Sequence, residues 1–169
     1  QKHGGFLQLT SEVGSGSRFC LFLPAWQDAS LPTPAPIAEP APSGNHETIL
    51  VADDEPAIRQ IMRETLIENQ YRPILAKDGA EAVALFAQHR TEVRAVVMDF
   101  MMPVLDGVGA LQVLRHLHPR IPIVLMPGSS EELDRLEQAR RSPGVLTVSK
   151  PFTASELLRA LADALRILE

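Results

Sequence analysis

Four charged side chains stand where apolar runs of this sequence end. Asp53 and Asp54 close the run in LVADDEP, Asp99 closes the one in VVMDFMMP, and Lys150 follows the last in VSKPF. Three carboxylates brought together repel one another, so a cation among them is implied. Ligands that are all oxygen select a hard divalent ion. Mg2+ fits best, because it favours octahedral oxygen coordination, keeps several waters and completes its shell with phosphate oxygens. A lysine facing the acids would hold a phosphoryl oxygen as a point charge.

These residues can act together only if the elements between them bring them to one place. From residue 47 onward, strand-like apolar runs alternate with stretches of helical period, the pattern of an α/β protein with a parallel sheet. Five such repeats are legible. Strands are expected at Thr48–Asp53, Arg72–Ala76, Ala95–Asp99, Ile121–Met126 and Val145–Val148. Helices are expected at Pro56–Asn69, Ala80–His89, Gly107–His116, Glu131–Arg141 and Ala154–Ile167. The first, third and fourth strands are nearly continuous apolar runs, as suits strands covered on both faces. Pro56 fits a first helical position and Asp78 a cap, while Ser129–Glu132 and Thr153–Glu156 both fit the capping box. Leu157, Leu158, Leu161, Leu165 and Leu168 recur at helical spacing and mark the buried face of the last helix. In such a sheet ligands bind beyond the carboxyl ends of the strands, where Asp53, Asp54, Asp99 and Lys150 all fall.

Composition bounds the rest. The 169 residues are 45% apolar, enough for one full domain and a fragment of a second. A net charge of −5, with sixteen basic residues in no dense patch, argues against nucleic-acid binding. No apolar run reaches the roughly 18 to 20 residues that span a bilayer, and the single cysteine, Cys20, cannot form an internal disulfide, so a cytoplasmic location without direct membrane contact is expected. Residues 25–46 form a linker dense in proline and alanine. It separates residues 1–24, which read as a β-hairpin around Gly14–Ser17, from residues 47–169.

DDEP, MDFMMPVLDG and SKPF, in that order and at that spacing, resemble the signature of response-regulator receiver domains. The resemblance covers about Glu47 to Glu169 and implies a doubly wound, five-stranded, flavodoxin-like sheet. It implies Asp99 as the phosphoacceptor, taking the phosphoryl group from a phosphohistidine by nucleophilic attack. Asp54 is then similar to the principal Mg2+ ligand, with Asp53 holding metal-bound water and the Met101 backbone carbonyl completing the protein ligands. Lys150 resembles the lysine that binds the phosphoryl group, and Pro103 and Gly107 the residues that shape the loop after the acceptor. Two positions depart from the family. Pro127 replaces a hydroxyl residue after the fourth strand, and Thr147 replaces the aromatic switch residue. Proline has neither a side-chain donor nor an amide hydrogen, which leaves the Gly128 amide as the donor at that corner. Ser129 is read as a helix cap.

HGG at His3–Gly5, SEVGSGS at Ser11–Ser17 and FLP at Phe22–Pro24 resemble the final strands of a histidine-kinase ATP-binding domain. The expected parent is therefore a hybrid sensor kinase carrying its receiver at the C-terminus, the nucleotide-holding segments lying upstream. The expected partner is a histidine kinase or a His-containing phosphotransfer domain. The resemblance also admits a homodimer, since related domains often pair through the fourth and fifth helices, although the sequence shows no decisive apolar patch there. Pro127 and Thr147 also admit a second reading, a docking module independent of phosphorylation. No chemistry is assigned to His116 or His118, taken as solvated, or to Met98, Met101 and Met102, taken as filler around the site.

Overall fold

The computed structural model describes residues 4–25, 42–129, 131–132 and 144–167. It divides into two compact units, Gln1–Ala38 and Glu39–Glu169.

The first unit holds the expected hairpin. Strands β1 (Phe6–Glu12) and β2 (Gly16–Phe22) pair antiparallel from Phe6↔Phe22 to Glu12↔Gly16. The turn depends on glycine, since Gly14 and Gly16 take φ of 84° and 92°, a region that side chains disfavour. The Phe6 and Phe22 rings stack at 4.6 Å. Alternation along the strands puts Leu7, Leu9, Phe19 and Leu21 on one face, and all four are exposed.

The second unit is a five-stranded sheet in the order β4-β3-β5-β6-β7, every pair parallel. Its strands are β3 (Thr48–Ala52), β4 (Arg72–Ala76), β5 (Val93–Asp99), β6 (Ile123–Met126) and β7 (Val145–Thr147). The helices are α1 (Pro56–Glu68), α2 (Gly79–Gln88), α3 (Gly107–Leu117) and, last in the chain, α4 (Ala154–Arg166). This is the doubly wound α/β fold expected.

Period-two alternation splits the central strands between two cores. Leu50, Ala52, Val96, Met98, Ile123 and Leu125 meet Phe86 of α2 and Ala110, Leu111 and Leu114 of α3 on one face. Ile49, Val51, Ala95, Val97, Val124 and Met126 meet Met62 and Leu66 of α1 and Leu157, Leu158, Leu161 and Ala164 of α4 on the other. The edge strands β4 and β7 are less buried.

Boundaries moved by a residue or two, and strand pairing accounts for those of β5 and β6. β5 starts at Val93, which is buried and pairs with Thr48 across a register shift. β6 starts at Ile123 because Pro122 has no amide hydrogen for the ladder, although its carbonyl accepts from the Val96 amide at 2.9 Å. Asp53 falls just past β3, yet its amide still donates to the Ala76 carbonyl at 3.3 Å. The helix expected at Glu131–Arg141 lies outside the described residues except for Glu131 and Glu132, which are helical. Leu168 and most of the linker also lie outside them.

The caps at Asp78 and Thr153 are as read, the box expected at Ser129–Glu132 forms only its Ser129 half, and one cap is added. Asp78 accepts from the Glu81 amide at 2.7 Å, and Asp106, not foreseen, caps α3 by accepting from Gly109 at 2.8 Å. Both halves of the Thr153–Glu156 capping box are formed. Leu114 is fully buried between α3 and the sheet, so Leu114→Ala is expected to cost about 2 to 5 kcal/mol in denaturant unfolding. Bonds from the Thr153 amide and hydroxyl hold the Glu156 carboxyl below its ordinary range. Its contribution to stability is thus present above the ordinary glutamate pKa and lost as pH falls through the lowered value. Thermal melts of Glu156→Gln against wild type across acid pH should show that dependence reduced.

Candidate functional site

The acids come from the two central strands. Asp53 and Asp54 follow β3, and Asp99 is the last residue of its neighbour β5, so the sheet register alone sets them side by side. Lys150 arrives from the edge. After β7 the Val148 amide donates to the Leu125 carbonyl at 2.9 Å and the Lys150 amide to the Pro127 carbonyl at 2.7 Å. The Lys150–Pro151 peptide is cis.

These anchors place the ammonium between two carboxylates. Nζ of Lys150 lies 2.9 Å from Oδ2 of Asp99 and 3.0 Å from Oδ2 of Asp53. Asp53 is fully buried and its Oδ1 also accepts from the Glu55 amide at 2.9 Å, while Oδ1 of Asp99 accepts from the Phe100 amide at 2.7 Å. Asp54 is exposed, yet its carboxylate joins those of Asp53 and Asp99, with one oxygen from each lying within 4.8 Å of the others. One ammonium among three carboxylates leaves excess negative charge in a small volume of hard oxygen ligands. Those residues fit a divalent cation.

Electrostatics follows from burial. The Asp99 carboxyl is raised above the ordinary aspartate value, chiefly by desolvation and further by the Asp53 charge, against the lowering influence of Lys150 and the Phe100 amide. Burial alone would lower the Lys150 ammonium. Its hydrogen bonds and charge interactions with Asp99 and Asp53 outweigh that and raise it.

The loop after Asp99 is closely fitted. A Cβ on Gly107 would stand 2.4 Å from the Asp99 carbonyl oxygen, so only glycine lets α3 start there. Leu105 donates to the Pro103 carbonyl at 2.7 Å around Val104, a β-branched residue at φ 67° and so a strained one. Met98 and Met102 are buried as expected, but the Met101 side chain is 52% exposed and fills nothing.

Pro127 is buried and spends its carbonyl on Lys150, while Thr147 sits in β7 opposite Leu125. Ser129 is a cap, its Oγ accepting from the Glu132 amide at 3.2 Å. The Gly128 amide donates to Oε2 of Glu132 at 2.7 Å.

Three residues near this end of the sheet or in the core escaped notice in the sequence. Arg59 Nη1 donates to the Asp53 carbonyl at 2.6 Å, a link whose only sequence signal is its place one turn into α1 after DDEP. Glu132 was legible as a capping acid but not as the partner of Gly128. His118 is half-buried rather than solvated: its ring meets Phe86 edge-on at 6.4 Å and its Nδ1 is buried without a hydrogen-bond partner among the described residues.

Comparison with known proteins identifies the family. The family model described as "Response regulator receiver domain" matches residues 49–162. The chain is 31% identical over 170 residues to "Sensor kinase CckA" of Brucella abortus (strain 2308), an alignment covering 96% of this chain and 18% of the kinase. It is 36% identical over 118 residues to "Response regulator MprA" of Mycobacterium sp. (strain KMS), covering 70% of this chain and 50% of that protein. The chain therefore spans half or less of the length of these curated relatives. The crystal structure of a response regulator receiver protein from Sinorhizobium medicae WSM419 superposes with a TM-score of 0.64 at 28% identity, over 74% of this chain and 98% of that one. With its acids and lysine gathered at the carboxyl end of a doubly wound sheet, the chain belongs to the response regulator receiver domain family, the phosphoacceptor domains of two-component signalling.

Proposed function

We propose that Asp99 is the acceptor and that it takes the phosphoryl group from a phosphohistidine with the help of Mg2+. The observation that carries this is the Lys150 ammonium bridging Asp99 and Asp53 at 2.9 and 3.0 Å, with Asp54 completing the acid cluster. An oxygen of Asp99 attacks phosphorus in line. A P–O bond forms as the P–N bond breaks, the histidine nitrogen keeps the electron pair, and the product is an acyl phosphate. Lys150 already touches the attacked carboxylate and binds a phosphoryl oxygen there as charge builds up. Asp54, Asp53, Asp99 and the Met101 carbonyl would hold the metal ion, which when bound neutralises the acids and the incoming phosphoryl oxygens. Gly128 supplies an amide donor where Pro127 offers none.

Receiver domains work with histidine kinases or phosphotransfer proteins, and this one is read as the receiver of a hybrid sensor kinase. The alignment with a sensor kinase across 96% of the chain supports that reading, since it runs through the hairpin as well as the receiver. The hairpin is then the tail of the ATP-binding domain and residues 25–46 the linker. With Pro127 and Thr147 at the two relay positions, output is by phosphotransfer or direct contact rather than by a hydroxyl-to-aromatic switch. Among the described residues no helix is long and apolar enough to cross a membrane.

Incubated with Mg2+ and a small acyl phosphate, the wild-type chain should gain the mass of one phosphoryl group, read by intact mass spectrometry. Asp99→Asn should gain none, and Lys150→Ala should load about a hundredfold more slowly. An equal adduct on Asp99→Asn rejects the assignment.

The raised Asp99 carboxyl has a thermodynamic sign. The folded state binds that proton more tightly than the unfolded chain, a contribution present at acid pH and lost as pH rises through the raised value. Metal-free Asp99→Asn should therefore melt higher than wild type at neutral pH, by a margin that shrinks on acidification. Mg2+ at a hundred times its Kd should stabilise wild type by about 2.7 kcal/mol, and Asp99→Asn by less.

A further inference from the structure

The Gly128 amide has two claimants. Under the function proposed above it donates to the phosphoryl group, because Pro127 brings neither a hydroxyl nor an amide hydrogen. In the structure it already donates to the Glu132 carboxylate at 2.7 Å. The Glu132 backbone amide separately donates to Ser129 Oγ at 3.2 Å, so its side chain bonds residue 128 and its main chain residue 129.

The contact is not the ordinary second half of a capping box, in which the acid accepts from the amide of the cap residue itself. The same chain shows the ordinary form in α4, where Glu156 accepts from the Thr153 amide at 2.7 Å. Glu132 instead reaches one residue further back, past Ser129 to Gly128. The register brings that residue to the same end of the sheet as the acids: Met126 pairs with Asp99, and the Pro127 carbonyl accepts from the Lys150 amide at 2.7 Å. Gly128 thus follows directly on a segment tied to both the acceptor strand and the lysine. Among the described residues, a Cβ added at Gly128 would meet the Glu132 carboxylate alone, at 3.8 Å.

We propose that Glu132 is a resident anion in the phosphoryl-binding half of the site, occupying the Gly128 amide until a phosphoryl group on Asp99 displaces it. The inference rests on the assignment of Asp99 and Gly128 given under the proposed function. A carboxylate and a phosphoryl group are both anionic acceptors, and one N–H serves one of them at a time. Each loading breaks the bond to Glu132, and each transfer or hydrolysis restores it. Glu132 thereby lowers occupancy and shortens the life of the acyl phosphate, favouring passage of the phosphoryl group onward. It acts through Gly128 and is a positioning residue.

The test uses the full chain with Mg2+ and beryllofluoride, a phosphoryl analogue, followed through the Gly128 amide resonance, with acyl-phosphate lifetime as a second readout. Glu132→Ala should bind the analogue about tenfold tighter than wild type and hold the phosphoryl group correspondingly longer. Glu132→Gln should fall between, since its amide oxygen is a weaker acceptor. Ser129→Ala, which loses the cap but keeps the carboxylate, should not tighten. Equal affinity in Glu132→Ala and wild type overturns the inference and leaves the assignment of Asp99 intact, as does equal tightening by Ser129→Ala. Binding by Glu132→Ala where wild type binds nothing supports it. Binding by neither overturns it together with the assignment on which it rests.

Discussion

A single ammonium placed between two buried carboxylates is the interaction on which the arrangement turns. Asp53 is fully enclosed and Asp99 nearly so, and two such acids at adjacent strand ends would leave uncompensated charge in the interior. Lys150 meets both. It can do so only because β7 lies beside β6 and the chain after β7 is anchored to the carbonyls of Leu125 and Pro127. The pairing order of the sheet, the loop that follows the edge strand and the charge balance of the site are therefore one constraint seen at three scales.

Much of the fold was legible because burial on two faces leaves a strong imprint. β3, β5 and β6 read as nearly continuous apolar runs, and the structure covers each of them on both faces. The boundaries were less legible, since they depend on pairing partners that no local pattern encodes. Val93 belongs to β5 because Thr48 lies opposite it, and Pro122 is excluded from β6 only because the ladder there needs an amide hydrogen. Caps were readable where a side chain bonds within its own turn, as at Asp78 and Thr153. Asp106 follows the same rule and could have been found by it.

The site divides along the same line. Asp53, Asp54, Asp99 and Lys150 are separated by up to 97 positions in sequence, and strand-end placement sufficed to bring them together because α/β topology puts every such end on one edge. Contacts made by chain flexing were not readable. The reach of Glu132 past its cap to Gly128, the clamp of Arg59 on the Asp53 carbonyl and the exposure of Met101 all depend on the path of a loop. Residue type was informative there, and position was not.

The two halves of the pocket rest on supports of different stiffness. The acids stand on central strands packed from both sides, where a change of even one methylene is felt through a close-packed interior. Lys150 and Gly128 hang from the three-residue edge strand β7 and from the turn after β6, held by a few backbone bonds, with Lys150 half-buried and Gly128 exposed. Variation beside Gly128 can therefore accumulate, resetting how long the charged state lasts, while the acids and the lysine they pair with keep the acceptor itself in place. A receiver built this way is free to drift in tempo without drifting in chemistry.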